Sequence, residues 1–210
     1  MIVVIGNPIH RVSSAGVTAD GLAARIAQAA SSSGATVQIV GKVGDDPAGD
    51  ELLLALGRSG IGHVATLRDP SRPTVVLPPN PDSLDVADEP SDQATPETPS
   101  DDGSPVLETA DVQLALRYLP NSRVIVAVHA SGDILAEAAA AATWSEAHLV
   151  VVVEPGAEPT IGLPDDALVV AALPDDAEGF ASRIGQYAAA VARGDDPAGA
   201  FAALTAAGSA

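Results

Sequence analysis

The hexapeptide GDDPAG occurs twice in the chain, at residues 44–49 and 194–199. Adjacent carboxylates between glycines could bind a cation, but a calcium loop of the EF-hand kind needs acids at alternating positions and a terminal glutamate. Neither copy has that pattern. Both copies place an aspartate, Asp46 or Asp196, before a proline at the start of an apolar periodic run, which is typical of a helix start. The repeat therefore predicts two capped helices and neither a metal loop nor a duplicated module.

The other residue types that bind metals or phosphate form no recognisable motif. The chain has no cysteine, and its four histidines lack both i, i+4 pairing and a carboxylate at ligand spacing: they are His10, His63, His129 and His148. His129 ends a predicted strand, where α/β proteins place ligand residues, although a lone histidine there is more often structural. Neither G-x-x-x-x-G-K-[ST] nor G-x-G-x-x-G occurs. We expect no metal site.

The composition limits the class of partner. The formal net charge is −18 and Lys42 is the only lysine. Such a surface repels phosphate backbones and anionic lipids, so we expect no nucleic-acid binding and no membrane binding. No apolar stretch approaches the length of a membrane span, and the first residues lack the basic region of a signal peptide. The sequence therefore predicts a cytoplasmic protein.

Apolar β-branched runs alternate with Ala- and Leu-rich periodic segments, which predicts the elements that must position any site. The predicted strands are 2–6, 36–40, 61–67, 73–77, 123–130, 148–153 and 167–173. The predicted helices are 19–30, 50–60, 110–119, 132–142, 178–192 and 197–207, with a turn at 41–49. Strands that alternate with helices indicate an α/β fold, with a mostly parallel sheet covered by helices on both faces.

Residues 78–105 differ in composition from the rest of the chain. They are rich in proline, serine and acids, and they contain no base and no aromatic residue. Such a segment cannot bury enough apolar surface to offset its ordering entropy, so the sequence predicts a disordered insertion in a surface loop. A charged lid and a partner-binding tether are the alternatives. The predicted organisation is thus one domain formed by residues 1–77 and 106–210, interrupted by 78–105.

The flanks of the first hexapeptide carry a family resemblance. The stretch GATVQIVGKVGDDPAGDELLLALGRSGI (34–61), followed by RPT at 72–74, resembles the ribokinase/phosphofructokinase-B family of carbohydrate kinases. The stretch GFASRIGQYAAAVARGDDPAGAFAALTAAG (179–208) resembles the helix pair after the catalytic turn of that family. The resemblance implies a ribokinase-like, doubly wound sheet. Members usually have about three hundred residues, which implies a trimmed C-terminal half in this chain.

The same resemblance implies positions for the sugar site. They are Asn7, Gly21, Arg25, Gly44 and Asp46. Asn7 stands in the turn where the family has an aspartate after the first strand, and Arg25 stands where the family has a sugar-binding asparagine. Arg25 could hold an anionic ligand through two hydrogen bonds, or it could be a solvated or ion-paired helix arginine.

The catalytic turn of the family matches PDDAEGF (174–180) with substitutions. Phe180 stands at the position of the aspartate base, and only Gly179 remains of the glycines whose amides hold the phosphoryl group. Phenylalanine cannot accept a proton. Asp175 and Asp176 are candidates for a displaced base, with simple helix capping as their alternative role.

Three functions follow from the resemblance and its substitutions. The first is a carbohydrate-kinase-like protein without phosphotransfer, which keeps a role in binding a small sugar-like or anionic ligand or a partner, and to which no cofactor is assigned. The second is an active sugar kinase that uses ATP and Mg²⁺ with a displaced carboxylate base. The third is a structural protein that serves association, for example as a homodimer.

Overall fold

The computed structural model describes residues 1–13, 16–78, 103–157 and 162–207, with side chains as far as residue 203. The strands are β1 (Ile2–Ile5), β2 (Ile9–Ser13), β3 (Gly16–Asp20), β4 (Val37–Gly44), β5 (Ile61–Asp69), β6 (Val76–Leu77), β7 (Val124–Val128), β8 (His148–Val153) and β9 (Leu168–Ala171). The α-helices are α1 (Leu22–Ser32), α2 (Pro47–Arg58), α3 (Thr109–Tyr118), α4 (Gly132–Ser145), α5 (Ala177–Arg193) and α6 (Pro197–Ala207). A 3-10 turn, Pro174–Asp176, directly precedes α5.

Six strands form the central sheet in the order β5-β4-β1-β7-β8-β9. Every neighbouring pair in this sheet is parallel. β1 lies in the middle, where Ile2 is in register with Val37 on one side and with Val124 on the other. The predicted mostly parallel sheet with helices on both faces is confirmed.

The sheet separates two apolar cores. Along β1, Ile2 and Val4 belong to the core covered by α1, α2 and α5, whereas Val3 and Ile5 belong to the core covered by α3 and α4. All four side chains are buried. Strands buried on both faces read as continuous apolar runs, which explains why the Val- and Ile-rich segments predicted them.

Small residues allow α1 and α5 to pack closely on one face. A side-chain carbon at Gly185 would lie 2.5 Å from the Cβ of Ala29 and 2.7 Å from the backbone nitrogen of Ala30. The core therefore gains its density from alanine and glycine contacts, as expected for a chain with 2% aromatic residues.

A second, three-stranded sheet in the order β3-β2-β6 forms a lid over the carboxyl end of the central strands. β2 and β3 are an antiparallel hairpin in which Ile9 is in register with Asp20. The sequence does not predict this hairpin, because its two strands are short and have no sustained apolar run. The predicted helix start at 19 is wrong for the same reason: Ala19 and Asp20 end β3, and α1 begins at Leu22.

Other boundaries differ from the prediction as well. The predicted turn at 41–49 begins too early, because β4 continues through Gly44. The predicted strand at 73–77 is reduced to the two residues of β6. Most of the predicted disordered insertion, residues 79–102, lies outside the described residues. At its far border Pro105 is buried, and its carbonyl oxygen accepts a hydrogen bond from the Asn7 side chain at 2.6 Å.

Candidate functional site

A cavity of about 300 Å³ lies between the lid sheet and the carboxyl ends of the central strands. It is lined by Arg11, Asp20, Gly21, Leu22, Arg25, Leu77, His129, Glu154, Ala172, Leu173, Pro174, Ala177 and Phe180. This is where open α/β sheets bind ligands, because strand ends, loops and helix N-termini converge there. The cavity is therefore the candidate functional site.

A buried carboxylate organises the lid side of the cavity. Asp20 accepts hydrogen bonds from the Nε of Arg11 and, at 2.5 Å, from the Nε of Arg25, and the backbone N–H of Gly21 donates to it at 2.7 Å. Burial acts to raise the pKa of Asp20, but the bonds from Arg25 and Arg11 outweigh it and lower the pKa to about 2. The Asp20 carboxylate is therefore ionised at neutral pH and holds two guanidinium groups at the cavity wall.

The turn that follows Asp20 requires glycine. Gly21 has a φ of 84°, in the region that favours glycine, and a side-chain carbon there would lie 3.0 Å from the Cγ1 of Ile9. This conformation brings the end of β3 directly into α1, so Asp20 and Arg25 face each other across the first turn of the helix. The predicted site residues Gly21 and Arg25 thus both line the cavity.

A histidine and a glutamate face the cavity from the central sheet. His129 follows β7 and Glu154 follows β8, and the Nδ1 of the histidine lies 3.0 Å from the carboxylate Oε1. His129 has a φ of 48°, a left-handed conformation that non-glycine residues rarely adopt. Its backbone N–H donates to the carbonyl oxygen of Val152 at 2.9 Å. Strained residues of this kind cluster at functional sites, which fits the position of His129 at the cavity.

The start of α5 closes the cavity with an apolar side chain and a capped terminus. Phe180 is 5% exposed and lines the cavity. The backbone N–H of Gly179 donates to the Oδ1 of Asp176 at 3.1 Å, so the carboxylate of Asp176 caps the helix. Arg183 donates to the other oxygen of Asp176 at 2.8 Å and holds the pKa of that carboxyl below its usual range.

Three predicted substrate-binding residues make contacts within the protein. The Asn7 side chain accepts a hydrogen bond from the backbone N–H of Lys42 at 2.8 Å and donates to the carbonyl oxygen of Pro105. Asp46 caps α2 through the N–H of Gly49 at 2.8 Å, as the sequence predicted.

Asp46 and Gly44 also meet at Thr74. The Oδ2 of Asp46 accepts from the backbone N–H of Thr74 at 2.7 Å, and the N–H of Gly44 donates to the Thr74 hydroxyl at 2.9 Å. Asn7, Gly44 and Asp46 are absent from the lining of the cavity in the described part of the chain. Their roles as ligand contacts stay predictions.

The roles of Asp20, Arg11 and Glu154 at this site do not follow from the sequence alone. Asp20 directly precedes a glycine, and both its arginine partners lie within nine residues of it. That spacing could have indicated a charge cluster, but only the lid hairpin brings Arg11 back across Asp20. Glu154 meets His129 because β7 and β8 are parallel neighbours, which the sequence alone does not specify.

Within the described ranges, no group of three His, Asp or Glu side chains could hold a metal ion. No helix of the described chain is long and apolar enough to span a bilayer.

No family model matches the chain, and no curated protein matches it in sequence. Solved structures of similar fold include sugar kinases. A sugar kinase from Pyrococcus horikoshii in complex with ATP has a TM-score of 0.56 and 13% identity, over 90% of this chain and 61% of that chain. A fructokinase with bound ATP from Xylella fastidiosa has a TM-score of 0.52 and 14% identity, over 97% of this chain and 68% of that chain.

A 2-dehydro-3-deoxygluconokinase from Thermotoga maritima has a TM-score of 0.53 and 16% identity, over 72% of this chain and 50% of that chain. These likenesses show that the chain has the ribokinase-like fold of carbohydrate kinases. The chain spans about half to two thirds of the length of these three kinases.

Proposed function

We propose that the protein is a carbohydrate-kinase-like binding protein, which takes a small ligand into the cavity under the lid sheet and does not transfer a phosphoryl group. The observation that carries this proposal is the start of α5. There the protein's own carboxylate occupies the helix terminus, and a phenylalanine stands where the resemblance expects the base.

Phosphoryl transfer needs free donors for the charge that develops on the phosphoryl oxygens. The N–H of Gly179 already donates to Asp176, and Glu178 adds a second negative charge in the same turn. A phosphate at this terminus would have to displace one carboxylate and lie beside another. Helix N-termini favour anions, but here the favourable position is filled from within the chain.

A displaced base is poorly supported by the same contacts. The efficiency of a general base is greatest when its pKa lies near the operating pH. The Arg183 guanidinium lowers the pKa of Asp176, which makes this carboxylate a weaker base than an ordinary aspartate. Neither Asp175 nor Asp176 belongs to the described lining of the cavity.

Enzyme assays test this proposal directly. The purified protein is incubated with ATP·Mg²⁺ and a panel of hexoses, pentoses and sugar acids, and ADP formation is followed by a coupled assay and by ³¹P NMR. We expect no sugar-dependent ADP and no sugar phosphate. Sugar-dependent ADP formation would overturn the proposal. If Asp176→Asn abolished it while Asp195→Asn, a change in an exposed carboxylate near the end of α5, did not, the displaced-base kinase would take its place.

A further inference from the structure

We propose that the ligand of the cavity is a small monocarboxylate with an apolar body, and that Arg11 and Arg25 bind its carboxylate. This inference rests on the proposed binding role of the cavity and names the chemical class of the ligand. It departs from the sugars suggested by the structures of similar fold.

Both guanidinium groups retain donors for a ligand. Arg11 donates from Nε to Asp20 and from Nη1 to the carbonyl oxygen of Pro78, whereas Arg25 donates to Asp20 from Nε and Nη2. The Nη2 of Arg11 and the Nη1 of Arg25 have no hydrogen-bond partner among the described residues. Asp20 holds both side chains in place, so a carboxylate can meet a pre-organised pair of donors.

The neighbouring carboxylates favour a ligand with a single negative charge. Asp20 balances one of the two guanidinium groups, Glu154 lies across the cavity, and Glu178 is close enough to raise the pKa of Arg25 through its charge. The two carboxylates of the described lining, Asp20 and Glu154, offset the two guanidinium groups, and Glu178 outside that lining adds further negative charge, so each additional negative charge on a ligand is disfavoured. The second charge of a phosphate monoester would meet these acids, and His129, the further base of the described lining, already lies 3.0 Å from Glu154, so binding of the dianion is disfavoured.

Apart from Arg11, Asp20, Arg25, His129 and Glu154, the described walls of the cavity are apolar. Leu22, Leu77, Leu173 and Phe180 line the cavity, and Leu173 is 49% exposed at this site. Sugar hydroxyls need many hydrogen-bonding groups, because a buried hydroxyl without a partner is costly. Among the described lining residues there is no asparagine, glutamine, serine or threonine side chain, and the polar side chains already contact each other: Arg11 and Arg25 donate to Asp20, and His129 lies 3.0 Å from Glu154. The apolar walls match a hydrocarbon body instead.

The size of the cavity agrees with a small ligand. Its volume of about 300 Å³ is at the lower end of the range for ligand sites, and equals the liquid volume of about ten water molecules. An aromatic or branched aliphatic acid fits this volume.

Isothermal calorimetry with four probes tests the inference: benzoate, benzyl alcohol as its neutral analogue, fructose and inorganic phosphate. We expect benzoate to bind, and each of the other three probes to bind at least about tenfold more weakly. Equal binding of benzyl alcohol would overturn the role of the arginines. Tighter binding of fructose or phosphate would overturn the ligand class.

Matched variants place the binding in the cavity. Arg25→Lys keeps the charge beside Asp20 but loses the planar fork, so benzoate affinity should fall about tenfold. Arg117→Lys is the control, because Arg117 lies exposed on α3, on the opposite face of the central sheet, and is absent from the described lining of the cavity. We expect its affinity within about twofold of the unsubstituted protein. Equal losses in the two variants, or none in Arg25→Lys, would overturn the assignment.

The outcomes for the ligand class and for the proposed function are distinguishable. Fructose binding without benzoate binding refutes the monocarboxylate and leaves a binding protein without phosphotransfer intact. Sugar-dependent ADP formation refutes the proposed function, whatever benzoate does. If none of the four probes binds, the monocarboxylate is refuted and the absence of phosphotransfer is judged by the enzyme assay alone.

Discussion

The two copies of GDDPAG offer a matched experiment, because the same local sequence makes different tertiary contacts. Asp46 and Asp196 both cap a helix, accepting the N–H of Gly49 at 2.8 Å and the N–H of Gly199 at 2.9 Å. Asp46 also accepts the backbone N–H and the hydroxyl of the buried Thr74, at 2.7 and 2.8 Å. We therefore expect Asp46→Ala to destabilise the protein more than Asp196→Ala.

The expected difference follows from the contacts. Loss of an N-cap costs about 1 kcal/mol in either variant. In Asp46→Ala, the N–H of Thr74 also loses its acceptor in a position where Thr74 is 6% exposed. A buried donor without a partner costs about 1–3 kcal/mol more. The free energy of unfolding should thus fall by about 2–4 kcal/mol for Asp46→Ala and by about 1 kcal/mol for Asp196→Ala.

Urea unfolding followed by far-UV circular dichroism measures both values, provided that the slope m is the same in both variants. Asp46→Asn, which retains one acceptor oxygen, should fall between the unsubstituted protein and Asp46→Ala. Equal losses in Asp46→Ala and Asp196→Ala would refute the reasoning, because they would mean that the link to Thr74 contributes nothing.

Three further predictions concern charge, burial and close packing. The pKa of Asp20 is lowered to about 2, so its contribution to the free energy of unfolding is present above about pH 4 and is lost as the pH falls towards 2. In urea unfolding, Asp20→Asn should lose less stability over this pH range than the unsubstituted protein. An equal loss of stability in the two proteins would contradict the prediction. Tyr187→Phe removes the hydroxyl that lies 2.8 Å from the Nε2 of buried His148, and should cost about 1–3 kcal/mol in the same assay. Burial raises the pKa of Tyr187 to about 12, so the unsubstituted protein should lose stability as the pH rises from 10 towards 12. Tyr187→Phe should not show this loss. If Tyr187→Phe loses stability over the same pH range, Tyr187 is not its source. Gly41→Ala places a carbon 2.7 Å from a backbone oxygen and should destabilise the fold. Gly57→Ala, on α2, places a carbon at an ordinary contact distance of 3.5 Å from His63 and should stabilise the fold by about 0.5–1 kcal/mol. A thermal unfolding measurement that finds Gly41→Ala more stable than Gly57→Ala would refute the packing argument.

Elements specified by local chemistry were predictable from the sequence. The start of α2 follows from Asp46 and the proline after it, and the buried strands follow from their continuous Val and Ile runs. The lid hairpin was not predictable in this way, because β2 and β3 have five residues each. They are stabilised by pairing with each other and by packing against α2.

The candidate site was only partly predictable, because its groups come from segments that meet through topology. Gly21 and Arg25 were identified from the family resemblance, and both line the cavity. Asp20 and Arg11 join them only once the lid has folded back. His129 and Glu154 meet because β7 and β8 are neighbours in the sheet. Residue spacing along the chain does not show which strands are neighbours in the sheet.

The place of β1 in the sheet has a consequence for the kinetics of folding. On one side β1 pairs with β4, which follows it closely in the chain, whereas on the other side it pairs with β7, which lies beyond residues 79–102. Pairings between distant segments form slowly, because the entropy of closing the long loop is lost before the contacts are gained. A folding intermediate built from β5, β4 and β1 would expose one edge of its central strand until β7 arrived, and such an edge promotes association. The length of chain between β6 and α3 should therefore affect the folding rate and the yield of refolding more than the final stability.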